Sequence, residues 1–141
     1  MHIFEILLVT GVAAIIWGSV MAIAQRNLKR MLAYSSVAQI GYIALGLGLA
    51  SPFGFIGAVL HVLNHAVMKA CLFLVSARLE EGGEGARIDR LDAILSRRLP
   101  VTTACFVVAA ISMIGLPPMA GFFSKWYLLL GSYEAGNWIL V

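Results

Sequence analysis

Residues Phe53 to Ala77 read FGFIGAVLHVLNHAVMKACLFLVSA, and this stretch decides how the chain folds. It is long enough to cross the roughly 30 Å hydrocarbon core of a bilayer as a helix. Its ionisable groups are His61, His65 and Lys69, which recur at every fourth position. A helix turns about 100° per residue, so the three fall on one face with roughly 40° of drift per step. The stripe climbs about 12 Å along that face. A charge near the bilayer centre costs at least about 2.5–3.5 kcal/mol, and groups held there at such cost mark ion or proton pathways.

Composition agrees with a membrane setting. The 141 residues are 61% hydrophobic and 12% charged, with a mean hydropathy of +0.93. Soluble domains run nearer 45–50% apolar and about 25% charged. The net charge of +3 is small, and the basic residues gather in two short segments, so no nucleic-acid footprint is present. Cys71 and Cys105 each sit in an apolar run on different predicted helices, where a free cysteine behaves as a small hydrophobe. Ala22-Ile23-Ala24 resembles a signal-peptide cleavage site. The preceding segment, however, lacks a basic start, carries Glu5 and is apolar for about 20 residues, which makes it a retained span.

The sequence predicts an all-α integral membrane fold in one transmembrane domain, 1–141, with about four spans. The first runs from about Ile3 to Ala24 and ends at Gln25-Arg26-Asn27-Leu28-Lys29-Arg30. The second covers about Met31 to Ala50 and stops at Ser51-Pro52; the third opens just after that proline. A polar loop from about Leu79 to Pro100 follows, predicted to lie on the cytoplasmic side. Within it, Ile88, Leu91 and Leu95 share a helical face, so a short interfacial helix is expected over Ala86 to Arg98. The fourth unit, Val101 to Gly131, would make a straight helix of roughly 46 Å, too long for one span and too short for two. Gly115-Leu116-Pro117-Pro118 interrupts it, so a single discontinuous helix is predicted, broken at Gly115, Pro117 and Pro118. Such breaks survive at membrane depth where protein or a polar cavity satisfies the freed backbone, and in transporters they mark ion and substrate sites. Asn137 to Val141 reads as the start of a truncated fifth span, as in a fragment or a split subunit. Three consecutive spans put the Arg26–Arg30 segment and the Arg78–Arg98 segment on one face, as the positive-inside rule requires of cytoplasmic loops in a plasma membrane.

Five residues are the candidates for moving protons. Lys69 sits too deep in its helix to snorkel fully to water. Burial disfavours the charged form of an amine, so a buried lysine can exchange its proton near neutrality. His65 and His61, one and two turns away, titrate in the neutral range and can pass protons along. Lys125 lies just beyond the helix break, beside Trp126 and Tyr127; it reads either as an interfacial lysine in an aromatic belt or as a group drawn to a hydrated pocket. Lys29, with Arg30, opens the second helix, where topological anchoring explains it equally well. Tyr34, Ser35, Ser36 and Gln39 give that helix a polar opening able to bind water or neighbouring helices. Asn64 is off the stripe and suits a helix–helix hydrogen bond. No nucleophile–base set, phosphate loop or metal-ligand cluster occurs, so neither catalytic residues nor a cofactor or metal are expected on this chain.

Three motifs in this order carry a family resemblance: LKRMLAYSSVAQIGY (Leu28 to Tyr42), HVLNHAVMKACLFL (His61 to Leu74) and GLPPMAGFFSKWYLL (Gly115 to Leu129). They resemble the antiporter-like membrane subunits shared by respiratory complex I (the L, M and N subunits of NADH:quinone oxidoreductase) and Mrp-type sodium/proton antiporters. The wording looks closest to the D-type component of the Mrp antiporters. The resemblance implies a proton-carrying role for Lys69, a polar membrane axis through His61, His65 and Lys29, and an outward half-channel at Lys125. It implies other hydrophobic subunits, the lipid bilayer, protons and sodium as partners. The expected function is thus proton/cation translocation in an Mrp-type antiporter. The alternatives are a proton-pumping subunit of a quinone oxidoreductase or membrane hydrogenase, a truncated non-transporting scaffold, and a small self-associating channel. A complete family member has about fourteen spans in two inverted repeats, and this chain matches about the second.

Overall fold

The computed structural model describes residues 2–81, 87–88 and 100–136, and these form five helices. Helix α1 spans His2–Ile23, α2 Leu28–Gly48, α3 Pro52–Glu81, α4 Pro100–Ile114 and α5 Ala120–Glu134. The first three are each long and apolar enough to cross a membrane. The expected interfacial helix over Ala86 to Arg98 and the truncated fifth span at Asn137 to Val141 lie outside the described residues, save Arg87 and Ile88.

Local chemistry sets the boundaries. Asn27 is extended, and its side-chain oxygen accepts from the Arg30 N–H at 3.3 Å, an N-cap that starts α2 at Leu28 and places Lys29 in its first turn. Ser51 caps α3 in the same way, its hydroxyl oxygen accepting from the Gly54 N–H at 3.0 Å, with Pro52 at the first helical position. Helix α3 runs on to Glu81, beyond the expected loop boundary at Leu79, because Leu79 is buried against α2 and α4.

Helix α3 is the hub and packs against α2, α4 and α5; α1 lies mainly against α2. The α1–α2 contact is backbone to backbone: a Cβ added at Gly18 would stand 2.6 Å from the Ala38 nitrogen. The opposite face of α1, with Ile3, Val9, Trp17 and Ile23, is exposed and apolar.

The fourth unit is broken where expected. Helices α4 and α5 have 15 residues each, about 22 Å apiece and too short to span alone. Gly115 ends α4 with φ 89°, a left-handed conformation that glycine adopts without steric cost. Pro117 and Pro118 then supply no N–H to continue the ladder. Helix α4 runs beside the C-terminal half of α3, where the Cys71 thiol lies 3.8 Å from the Cys105 carbonyl oxygen. Helix α5 runs beside the N-terminal half, as the pairing of His61 with Ser124 shows. The two short helices therefore follow one another across the same depth as α3.

The basic turns meet. Ile88 N–H donates to the Arg26 carbonyl at 3.0 Å, and Asn27 pairs with Arg87 in an isolated bridge. The α1–α2 turn and the segment after α3 thus share a face, as the charge pattern predicts.

Candidate functional site

Between the two ends of α3 lies a layer of polar side chains supplied by α2, α3 and α5. Lys69 is 5% exposed. Its ammonium donates to the Leu32 carbonyl and to the Ser35 hydroxyl on α2, and it lies 5.9 Å from the centre of the Phe73 ring. Leu32 sits where α2 is tightly packed, yet its carbonyl also accepts from the Ser35 and Ser36 hydroxyls at 3.0 Å each. The Leu32 carbonyl is thus shared by three donors, and the bond from the ammonium is the charge-assisted, stronger one.

His61 is buried at 1% exposure and bridges two helices. Its Nε2 lies 2.8 Å from the Gln39 side-chain oxygen on α2, and its Nδ1 lies 3.1 Å from the Ser124 hydroxyl on α5. The Tyr42 ring stands 5.7 Å away, centre to centre. His65 lies between His61 and Lys69 on α3, and its Nε2 is buried with no hydrogen-bond partner among the described residues.

Lys125 folds back from α5 over Gly115 to the end of α4. Its ammonium donates to the Met113 and Ile114 carbonyls, at 3.1 and 2.9 Å, and sits 5.5 Å from the centre of the Tyr42 ring. The last carbonyls of a helix have no intrahelical partner and carry its negative dipole end. Lys125 therefore occupies the electrostatic sink created by the break. Asn64 donates to the Ala120 carbonyl at 2.8 Å and ties α3 to the start of α5.

Of the five candidates, four converge on this layer: Lys69, His65, His61 and Lys125. Lys29 does not join it. It forms an ion pair with Glu80 at the basic face, partly exposed, and Glu80 lies about 16 Å further along α3 than Lys69. Gln39 and Ser35, read from the sequence only as part of a polar helix opening able to bind water or neighbouring helices, face the stripe directly. They stand four residues apart on α2 while their partners Lys69 and His61 stand eight apart on α3, and only the antiparallel register shows which pairs meet. Tyr42, a shared neighbour of His61 and Lys125, had no sequence signal of its own.

Comparison with known proteins bears on what such a layer serves. The family model described as NADH:quinone oxidoreductase/Mrp antiporter, transmembrane, matches residues 1–141. The chain is 53% identical, over 92% of its length, to a part covering 26% of NADH-quinone oxidoreductase subunit N of Desulforudis audaxviator. It is 37% identical, over 93% of its length, to 28% of F(420)H(2) dehydrogenase subunit N of Methanosarcina mazei. It is also 37% identical, over 88% of its length, to 25% of NADH-quinone oxidoreductase subunit M of Rickettsia conorii. The chain thus spans about a quarter of the length of these curated relatives. With its spans, its broken helix and its match along the whole chain, this protein belongs to the family of membrane subunits shared by NADH:quinone oxidoreductases and Mrp antiporters.

Proposed function

We propose that this chain holds and passes protons within a membrane subunit of a quinone-oxidoreductase-type complex, one driven by NADH or a similar reduced carrier. The observation that carries this reading is the layer itself: Lys69, His61 and Lys125 hydrogen-bond to partners on α2, α4 and α5, with His65 between His61 and Lys69 on α3, in a mostly apolar bundle. Imidazoles and desolvated amines are the side chains suited to exchanging protons near neutral pH. Lys29, paired with Glu80, stands at the entrance on the basic face, apart from the layer.

The oxidoreductase-type reading is preferred to the Mrp-type antiporter because the relatives quoted bear oxidoreductase and dehydrogenase names, and sodium is not carried forward. The basic face is proposed to be cytoplasmic in a plasma membrane, with other hydrophobic subunits as neighbours. The test is proton uptake by vesicles bearing the assembled complex. Lys69→Ala is expected to abolish uptake with assembly intact; full uptake by that variant overturns the proposal.

A further inference from the structure

We infer that Gln39 is a positioning residue that determines whether His61 carries one proton or two, and that Nε2 of His61 is the nitrogen that gains and loses the proton. This rests on the relay reading above and adds to it the identity of the exchanging atom and the residue that controls it.

The argument starts from donors and acceptors. A serine hydroxyl has one hydrogen. That of Ser124 is donated to the Gly121 carbonyl at 3.0 Å, inside the helix and at 0% exposure. Toward His61 Nδ1, 3.1 Å away, the Ser124 oxygen can then only accept. With the Ser124 hydrogen on that carbonyl, Nδ1 carries a hydrogen whatever the charge of the ring. On the other side, the Gln39 oxygen faces Nε2 at 2.8 Å, and an amide oxygen also only accepts. With both partners accepting, the ring is matched as an imidazolium that donates from both nitrogens.

A half-turn of the Gln39 amide reverses one side of this arrangement. It presents the amide NH2, a donor, to Nε2, and a bare Nε2 is the matching acceptor. The neutral ring then keeps its hydrogen on Nδ1 and still donates to Ser124. Loss of the proton breaks the Nε2–H bond, leaves its electron pair on nitrogen and neutralises the ring. The proton passes to a neighbouring base, for which His65, one turn along α3 with a buried Nε2 that makes no hydrogen bond among the described residues, is the candidate; a new N–H bond forms on the acceptor and the charge moves with it. The other groups facing His61 are Tyr42 on α2 and Lys125 on α5, itself held over the Tyr42 ring, with Lys69 two turns along α3.

The experiment is ¹⁵N NMR of the imidazole nitrogens in the full chain, reconstituted in lipid bilayers at neutral pH. The chain has three histidines, so His2→Asn and His65→Asn assign the signals of His61. Gln39→Glu offers only acceptors to Nε2 and is expected to raise the fraction of His61 protonated on both nitrogens. Gln39→Leu offers neither and is expected to move His61 to the singly protonated Nδ1–H form. Identical His61 spectra in the wild type and both variants overturn the inference, as does a neutral His61 protonated on Nε2 in the wild type. Ser124→Ala is an independent check should a glutamine variant misfold: freeing Nδ1 is expected to let the Nε2–H form appear, and its absence counts against the assignment. Proton uptake in the assembled complex is measured alongside. If uptake does not depend on Lys69 while the spectra follow the pattern, the relay reading fails and the role of Gln39 stands.

Discussion

The two halves of α3 are closed by different means. Toward its N-terminus, α3 meets α2 and α5 through glycine: a Cβ added at Gly54 would lie 2.7 Å from the Gly46 carbonyl oxygen, and one at Gly131 would lie 2.6 Å from the Gly54 nitrogen. Toward its C-terminus, Leu72, Val75 and Leu79 pack against Leu28 and Leu32 of α2 and Ala109 of α4. The first closure sets backbone against backbone, where nothing can yield without shifting whole helices. The second is a layer of side chains that can change rotamer and repack. The polar layer lies between a rigid seal and a deformable one. Under the proposed relay, a path that opens and closes would have its movable part on the leucine side, which is also the basic face.

Substitutions can break this contrast, and the largest effect is expected at Gly131→Val. The added side chain meets the backbone of α3, and overpacking of that kind costs about 3 kcal/mol or more where nothing can relax. The expected result is loss of the α3–α5 contact, read as a loss of resistance to unfolding in detergent titration. Leu72→Ala should cost less, about 2 kcal/mol at the lower end for a buried leucine, because the surrounding side chains can partly collapse. It should also raise passive proton leak through vesicles, whereas a small change on the glycine side should leave leak unaltered. If Leu72→Ala leaves leak unchanged, the leucine layer is not the deformable seal.

Two smaller changes sharpen the comparison. Asn64→Ala removes the bond to the Ala120 carbonyl and should cost about 1 kcal/mol, as interhelical hydrogen bonds in membranes do. The loss should appear as faster hydrogen exchange at the start of α5. Lys29→Gln breaks the pair with Glu80, whose partners are 41% and 37% exposed. Solvent screening at that exposure limits the stability change to under about 1 kcal/mol. Proton uptake should fall without vanishing; abolition equal to that of Lys69→Ala would place Lys29 inside the relay.

Much of this is readable from the chain itself. The His61, His65 and Lys69 stripe follows from spacing alone, the break follows from Gly115 and the two prolines, and the shared face of the basic turns follows from three spans and the placement of arginines. What escapes depends on register between helices. A search for glycines four apart on one helix finds nothing useful, because the glycines that matter meet across helices: Gly54 faces Gly46 and Gly131. Gln39 and Ser35 read as a polar helix opening until α2 is laid antiparallel on α3. The pairing of Lys29 is hidden for a different reason: Glu80 falls in the polar stretch that reads as a loop, and the burial of Leu79 that extends α3 is a tertiary effect.

The cations of the polar layer are held by carbonyls and hydroxyls, and among the described residues the acidic ones, Glu5, Glu80, Glu81 and Glu134, all lie near helix ends. An interior with positive groups and no resident anion among those residues limits its own occupancy. Two positive charges one helical turn apart, about 6 Å along the axis, repel by about 3 kcal/mol at an effective dielectric of about 20. Under the proposed relay, a second positive charge one turn away is therefore disfavoured while the first remains, which favours one proton at a time along α3 without any narrowing of the passage.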